Sequence, residues 1–120
     1  MSEEFIKVAT QEINDELSSI DSIIESCTTD LLLKNKSNEI EGHMHKIKGL
    51  SPMMGQKEIG EISALIDTLL KTENIDNTFD GLLELLIESI QFMKNAMNGN
   101  IEKFEELKQK ITTKYSKFLN

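Results

Sequence analysis

The 120-residue sequence predicts an all-α fold. Apolar residues recur at intervals of three and four in five successive segments, which is the spacing that places side chains on one face of a helix. No segment shows the alternation of apolar and polar residues that is typical of a half-buried strand. Short polar connections join the segments, and short connections favour antiparallel neighbours. We therefore expect five helices packed as an antiparallel bundle in a single domain, residues 1–120.

The first two helices are predicted at roughly 3–27 and 38–53, with a short leucine-rich piece and a polar turn between them. The inward stripe of the first helix comprises Phe5, Val8, Ile13, Leu17, Ile20, Ile24 and Cys27. That of the second comprises Ile40, Met44, Ile47, Ser51 and Met54. Gly55 is a plausible stop for the second helix. Pro52 allows two readings, a kink in its last turn or a helix end near residue 53.

Three further helices are predicted at roughly 57–72, 77–97 and 101–118. Their inward stripes comprise Ile59, Ile62, Ile66 and Leu69; then Phe79, Leu82, Leu83, Leu86, Ile90, Met93 and Met97; and finally Ile101, Phe104, Leu107, Ile111, Tyr115 and Phe118. Asn98, Gly99 and Asn100 should end the fourth helix, because glycine and asparagine accept the left-handed backbone of a C-cap.

Composition excludes several classes of function. Thirteen lysines, no arginine and 21 acidic residues give a net charge of −8, which argues against nucleic acid or an anionic membrane as a partner. No glycine-rich phosphate loop and no membrane-spanning run is present, and the acidic N-terminus does not resemble a secretory signal. We expect a cytoplasmic monomer without cofactor or metal, in which Cys27 is a small core residue.

His45 is the candidate functional residue. When the apolar stripe of the second helix is set at zero and each residue advances about 100°, His45 lies roughly 140° away and therefore faces water. Lys48 and Gly49, three and four residues on, are its neighbours on the helix surface. Glycine in a helix interior costs roughly 1 kcal/mol relative to alanine, so its presence needs a compensating reason. An approach to the imidazole that no Cβ obstructs is such a reason.

The segment from His45 to Gly55, His-Lys-Ile-Lys-Gly-Leu-Ser-Pro-Met-Met-Gly, resembles the histidine phosphotransfer (Hpt) motif. In that motif the histidine is followed at +3 and +4 by Lys-Gly and at +10 by glycine. The Lys-Gly-x-Ser-x-x-Met-Gly ending is most similar to the N-terminal phosphotransfer domain of CheA-type chemotaxis kinases. Ala64 stands where that version often has a second histidine.

The resemblance implies a four-helix bundle with an appended fifth helix, in a phosphorelay or chemotaxis pathway. It implies that His45 accepts a phosphoryl group from a histidine kinase catalytic domain and passes it to an aspartate in the receiver domain of a response regulator. The carboxylate that orients the histidine maps to Asp67, twelve residues after Gly55, where the family has glutamate. Lys48 would stabilise the phosphate charge. Partner recognition should rest on small and apolar groups near His45, namely Gly49, Leu50, Pro52 and Met53.

Other interpretations remain open at this point. His45 could be an ordinary solvated histidine, and Asp67 an ordinary solvated helix acid. His43 and His45 lie roughly 200° apart on a helix, so they cannot hold one metal ion together. The chain has no nucleophile–base pair and no ATP-binding segment, so an enzyme is not expected, and within a longer kinase it would be the substrate. A non-phosphorylated helical adaptor that binds a receiver domain or another signalling partner is the alternative function.

Overall fold

The computed structural model describes residues 2–71 and 80–119, and these residues form helices, turns and no β-strand. The α-helices are α1 (Glu3–Glu25), α2 (Asp30–Lys34), α3 (Ser37–Leu50), α4 (Lys57–Lys71), α5 (Leu82–Met97) and α6 (Phe104–Lys114). Two 3₁₀ turns span Pro52–Met54 and Ser116–Phe118. The prediction of an all-α protein is therefore confirmed for the described residues. None of their helices is long and apolar enough to cross a membrane.

Helix α1 begins directly after its N-terminal capping residue, Ser2. The Ser2 hydroxyl accepts a hydrogen bond from the Phe5 N–H at 3.1 Å, which satisfies one of the N–H groups that have no partner inside the helix. The α-helix ends at Glu25, two residues before the predicted end at 27. The assignment of Val8 to the inward stripe is wrong, since its side chain is exposed and the neighbouring Ala9 is buried instead.

The leucine-rich piece after α1 is itself a short helix, α2, which was not predicted as one. Thr29 caps it, because its hydroxyl accepts a hydrogen bond from the Leu32 N–H at 3.2 Å. Leu33 is completely buried, whereas Leu31 and Leu32 are exposed.

Helix α3 ends at Leu50, before the predicted limit of 53. Pro52 has no N–H to donate to the carbonyl of Lys48, so the α-helical ladder stops and residues 52–54 tighten into a 3₁₀ turn. Gly55 ends this turn with φ 73°, in the left-handed region that glycine adopts without a steric penalty. Gly55 thus ends the 3₁₀ turn and not α3 itself, so its prediction as the stop of the helix holds only for that turn, and the interpretation of Pro52 as a helix end is the correct one.

Helix α5 begins at Leu82, directly after Gly81, whose φ of 82° is not helical. The predicted start at 77 is therefore wrong for residues 80 and 81, while residues 77–79 and the predicted end of the preceding helix at 72 lie outside the described residues. The predicted end is confirmed, since α5 stops at Met97 and Gly99 follows with φ 91°. Helix α6 begins at Phe104, three residues after the predicted start at 101, and ends at Lys114, four residues before the predicted end at 118. The assignment of Ile101 to its inward stripe is wrong, since this residue precedes the helix and is exposed.

The helices bury one hydrophobic cluster that draws side chains from every α-helix. Helix α3 packs against α1 and α4, helix α5 also packs against α1 and α4, and α6 contacts α4 and α5. Most predicted stripe residues lie in this cluster, including Ile13, Leu17, Ile20, Ile40, Met44, Ile47, Ile59, Ile62, Ile66, Leu69, Leu86, Ile90, Met93, Leu107 and Ile111. Cys27 is buried among them, as predicted. Burying these faces holds α3 and α4 side by side, which places the candidate site.

Tyr115 is a buried polar member of this cluster. Its side chain is 1 % exposed, and its hydroxyl donates a hydrogen bond to the backbone carbonyl of Asp80 at 3.0 Å. The pKa of Tyr115 is raised to about 12, mainly by burial and to a smaller extent by the negative charges of Asp30 and Asp80. The protonated phenol is therefore the form that the fold stabilises.

Replacing Tyr115 by phenylalanine should make stability less dependent on alkaline pH. An unfolded tyrosine ionises near pH 10, so the folded chain should lose stability between pH 10 and 12, by about 1 kcal/mol at pH 11. Tyr115→Phe lacks this loss but also lacks a hydrogen bond worth about 1 kcal/mol. Urea unfolding should therefore show the variant less stable at pH 7 and equal to wild type or better at pH 11. Parallel losses in both proteins would contradict this.

Candidate functional site

His45 lies on the outer side of α3, and its side chain is 60 % exposed. The opposite face of the same helix carries Ile40, Met44 and Ile47, each with no exposed surface. These anchors hold the helix against α1 and α4, so the rotation of α3 is determined by its buried face. The exposure of His45 agrees with its predicted position on the helix.

Asp67 on α4 faces His45. One of its carboxylate oxygens, Oδ2, lies 3.4 Å from His45 Nδ1, at the long end of the hydrogen-bond range. The Asp67 side chain is only 1 % exposed. The interpretation of Asp67 as a solvated helix acid is therefore wrong. A nearly buried carboxylate beside an exposed imidazole is the arrangement that orients a reactive histidine ring.

Two lysines hold the same carboxylate oxygen. Lys48 Nζ lies 3.5 Å from Asp67 Oδ2, and Lys71 Nζ lies 3.1 Å from it. Both lysine side chains are about half exposed, so their ammonium groups remain accessible from solvent. Lys48 was predicted from the sequence to belong to the site, whereas Lys71 was not. Its sequence signal was the spacing of four residues from Asp67 on one helix, which places the two side chains together.

Glu41 is a second carboxylate at this site and was not predicted from the sequence. It precedes His45 by four residues and therefore shares its face of α3. The pKa of Glu41 is raised, mainly by its hydrogen bond with Asp67 and to a smaller extent by burial. Burial alone would raise the pKa of Asp67, but hydrogen bonds with Glu41, Lys71 and His45 outweigh it and lower that pKa. Asp67 is thus the group that keeps its negative charge.

The charge on Asp67 selects the form of the His45 ring. A carboxylate accepts hydrogen bonds and cannot donate them, so His45 Nδ1 must carry the proton that lies between them. In the neutral imidazole the lone pair then resides on Nε2. The exposed ring thus combines an unprotonated nitrogen with two nearby lysine ammonium groups, an arrangement suited to attack on an electrophile that carries negative charge.

His43 forms a separate pair on another side of α3. Its Nδ1 lies 2.7 Å from Oε1 of Glu16 on α1, and the Glu16 side chain is 8 % exposed. Lys46 contacts the same glutamate oxygen at 3.8 Å. His43 and His45 therefore face different neighbouring helices, as expected for residues two apart on a helix. With 23 % of its side chain exposed, His43 is much less accessible than His45.

The predicted partner-binding residues lie at the C-terminal end of α3. Gly49 is exposed, and a Cβ at this position would meet no atom within 4 Å. Pro52 and Met53 are exposed, whereas Leu50 is half-buried and packs against the core. The structure thus leaves open space one turn from the imidazole.

A groove of about 560 Å³ lies beside these residues, between the end of α3 and the start of α4. It is lined by Lys48, Pro52, Gly55, Lys57, Gly60, Glu61 and Ala64. Most of these side chains are small, so the walls offer little obstruction. Because Lys48 belongs both to this groove and to the Asp67 cluster, the groove borders the site around His45.

Comparisons with protein-family models, curated proteins and solved structures found no match to this chain.

Proposed function

We propose that this chain is a histidine-containing phosphotransfer protein of a two-component or phosphorelay pathway. It accepts a phosphoryl group on His45 and passes it to an aspartate of a response-regulator receiver domain. The observation that carries the proposal is the pairing of an exposed imidazole with a buried carboxylate, Asp67, across two packed helices. Phosphotransfer is also supported by the Hpt-like spacing of His45, Lys48, Gly49 and Gly55.

The proposed architecture is an antiparallel up-down four-helix bundle of α1, α3, α4 and α5, with α6 as the additional C-terminal helix. Contacts between α1 and α3, α3 and α4, α4 and α5, and α5 and α1 support it, because they close a ring of four helices. Helix α6 packs outside this ring, against α4 and α5. In this arrangement α3 displays the phosphorylated residue, and α4 supplies its orienting carboxylate.

The proposed reaction moves one phosphoryl group in two steps, first onto His45 and then from His45 to the receiver. Nε2 of His45 attacks phosphorus, an N–P bond forms, and the P–O bond to the donor breaks with its electron pair leaving on that oxygen. Asp67 holds the Nδ1 proton and stabilises the positive charge that develops on the ring. Lys48 lies close enough to the ring to balance the charge of the phosphoryl oxygens. In the second step a receiver aspartate attacks phosphorus, and the N–P bond breaks with its electron pair returning to Nε2.

The donor, the acceptor and the metal ion belong to the partners, which are the histidine kinase catalytic domain and the receiver domain. Phosphoryl transfer depends mainly on positioning and charge stabilisation, so the carrier itself needs no catalytic pocket. The small residues beside His45 leave room for either partner. We propose that partner contact is made at Gly49, Leu50, Pro52 and Met53, that the interface is small and transient, and that the carrier is a cytoplasmic monomer.

Labelling tests the proposal directly. The chain is incubated with radiolabelled ATP and a panel of histidine kinase catalytic domains, or with phosphorylated receiver domains. We expect incorporation of one phosphoryl group that is labile in acid and stable in base, and peptide mapping should locate it on His45. A chain that binds receivers but is never labelled would instead support the adaptor function.

Replacing Gly49 by leucine should separate stability from transfer. Leucine is a better helix former, and a Cβ at this exposed position has free space, so we expect a gain of about 0.5–1 kcal/mol in the free energy of unfolding. The new side chain would obstruct a partner that approaches along the C-terminal end of α3. We expect the transfer rate to fall roughly 10-fold or more, because small displacements of reacting groups are costly.

Gly42→Leu is the matched control for this substitution. Gly42 is also an exposed glycine of α3 without neighbours around its Cβ, but it lies on the other side of His45, away from the groove. Its replacement should raise stability by a similar amount and leave transfer within about twofold of wild type. Equal losses of transfer in the two variants would show that the partner does not approach across Gly49.

A further inference from the structure

Glu41, His45 and Asp67 bring three potential metal ligands together. One carboxylate oxygen from each acid and one ring nitrogen of the histidine lie within 4.8 Å of one another. Glu41 and His45 share a face of α3, and Asp67 reaches them from α4. Because the ligands come from two helices packed against each other, the site is formed by the fold and not by one flexible segment.

One buried oxygen of this cluster has no N–H or hydroxyl donor among the described residues. Asp67 Oδ2 contacts His45, Lys48 and Lys71, whereas Oδ1 is fully buried without such a donor, and the further partner of this carboxylate is the carboxyl group of Glu41, itself a member of the cluster. Buried carboxylate oxygens are normally satisfied by a donor or a cation. The oxygen belongs to the carboxylate that faces both Glu41 and His45, so it is an independent indication of a ligand at this point.

The distances and the donor types select the ion. Zinc binds imidazole nitrogen and carboxylate oxygen at about 2.0–2.2 Å, so tetrahedral ligands around it lie about 3.4 Å apart. His45 Nδ1 and Asp67 Oδ2 are separated by 3.4 Å, which is long for a hydrogen bond and suited to such a ligand pair. Magnesium and calcium prefer sites made of oxygen atoms alone, and an imidazole ligand disfavours them.

We propose that Glu41, His45 and Asp67 bind one Zn²⁺ ion, with a fourth position open to water. Two ammonium groups must move: that of Lys71 lies 3.1 Å from Asp67 Oδ2 and 4.0 Å from Glu41 Oε2, and that of Lys48 lies 3.5 Å from the same Oδ2. Both side chains are about half exposed, and their four-carbon chains can turn into solvent. The ion then replaces the lysines as the countercharge of the two carboxylates.

Zinc at this position would control the reactivity of His45, a consequence that rests on the proposed phosphotransfer function. The ion takes the Nδ1 lone pair, so the Nδ1 proton is lost to solvent and the neutral ring carries its proton on Nε2. Nε2 then has no free lone pair to attack phosphorus. A chain with bound zinc therefore cannot accept a phosphoryl group until the ion leaves.

Calorimetric titration of the metal-free chain with zinc chloride at pH 7 tests the site. We expect one ion per chain, and binding weakened by about 10- to 100-fold or lost in Glu41→Gln and His45→Gln. His43→Gln and Glu39→Gln are the controls and should bind like wild type, since Glu39 is an exposed acid of the same helix. Absence of saturable binding, or equal binding by Glu41→Gln and wild type, would overturn the proposal.

Two further readouts separate this inference from the proposed function. Nitrogen NMR of the His45 ring should show the Nδ1–H form without metal and the Nε2–H form with zinc, whether or not the chain is ever phosphorylated. In the labelling assay, zinc should inhibit wild type at concentrations at least about 10-fold lower than it inhibits Glu41→Gln, each relative to its own metal-free rate. Zinc binding without any labelling would contradict the proposed function alone, and labelling indifferent to saturating zinc would overturn the zinc site.

Discussion

Replacement of His45 by glutamine is expected to abolish phosphoryl labelling of the chain. Glutamine retains polar atoms of similar reach, but its amide nitrogen has no lone pair available for attack on phosphorus. The side chain is 60 % exposed and its principal contact is with Asp67, so the fold should tolerate the change. Labelling with the kinase or receiver that phosphorylates wild type is the measurement, and circular dichroism should show unchanged helix content.

His43→Gln is the matched control for this substitution, because His43 is the other histidine of the chain. It also pairs with a carboxylate, that of Glu16, and a glutamine amide can still donate a hydrogen bond to it. We expect labelling of the His43 variant to remain. Labelling that survives in His45→Gln, or that is lost only in His43→Gln, would place the phosphoryl group on the wrong histidine and contradict the proposed function.

Replacement of Asp67 by asparagine is expected to slow phosphorylation of His45 on the order of 10- to 100-fold without abolishing it. The amide has nearly the same shape, so the packing of this buried position is kept. It lacks the negative charge that stabilises the developing imidazolium, and it no longer balances Lys48 and Lys71. The initial rate of labelling, measured at a saturating concentration of the donor, reports the effect.

Glu58→Gln provides the comparison for this second substitution. Glu58 lies in the first turn of the same helix, α4, and its replacement also removes one negative charge. It should leave the labelling rate within about twofold, since its effect on the helix dipole is worth only about 0.3–1 kcal/mol. An Asp67→Asn variant labelled as fast as Glu58→Gln would show that the buried carboxylate does not orient the histidine.

Much of the fold was predictable because its signals are local. The stripe of Ile59, Ile62, Ile66 and Leu69 follows the period of one helix, and every member is buried. Gly55 also acts locally, through its own backbone conformation. Most errors arose at helix ends, where single hydrogen bonds determine the last helical residue. Pro52, for example, ends the α-helical hydrogen bonding of α3 earlier than the apolar pattern indicates.

The candidate site was predictable to the extent that it lies on one helix. The period of α3 gives the exposure of His45 and the neighbouring positions of Lys48 and Gly49. Glu41 has the same relation to His45, at a spacing of four residues, but an acid on a helix surface carries no signal of its own. The burial of Asp67 could not be deduced from helix period alone, and only the family resemblance pointed to that residue.

The sequence by itself determined where the longer helices lie and which side of α3 displays His45, because backbone period and side-chain hydrophobicity act over one or two turns. Tertiary structure decided which side chains meet across helices. The packing of α3 on α4 places Asp67 and Lys71 beside His45, and the packing of α3 on α1 places Glu16 beside His43. The distances between these groups depend on how complete buried faces fit together, and no short segment of sequence contains that information.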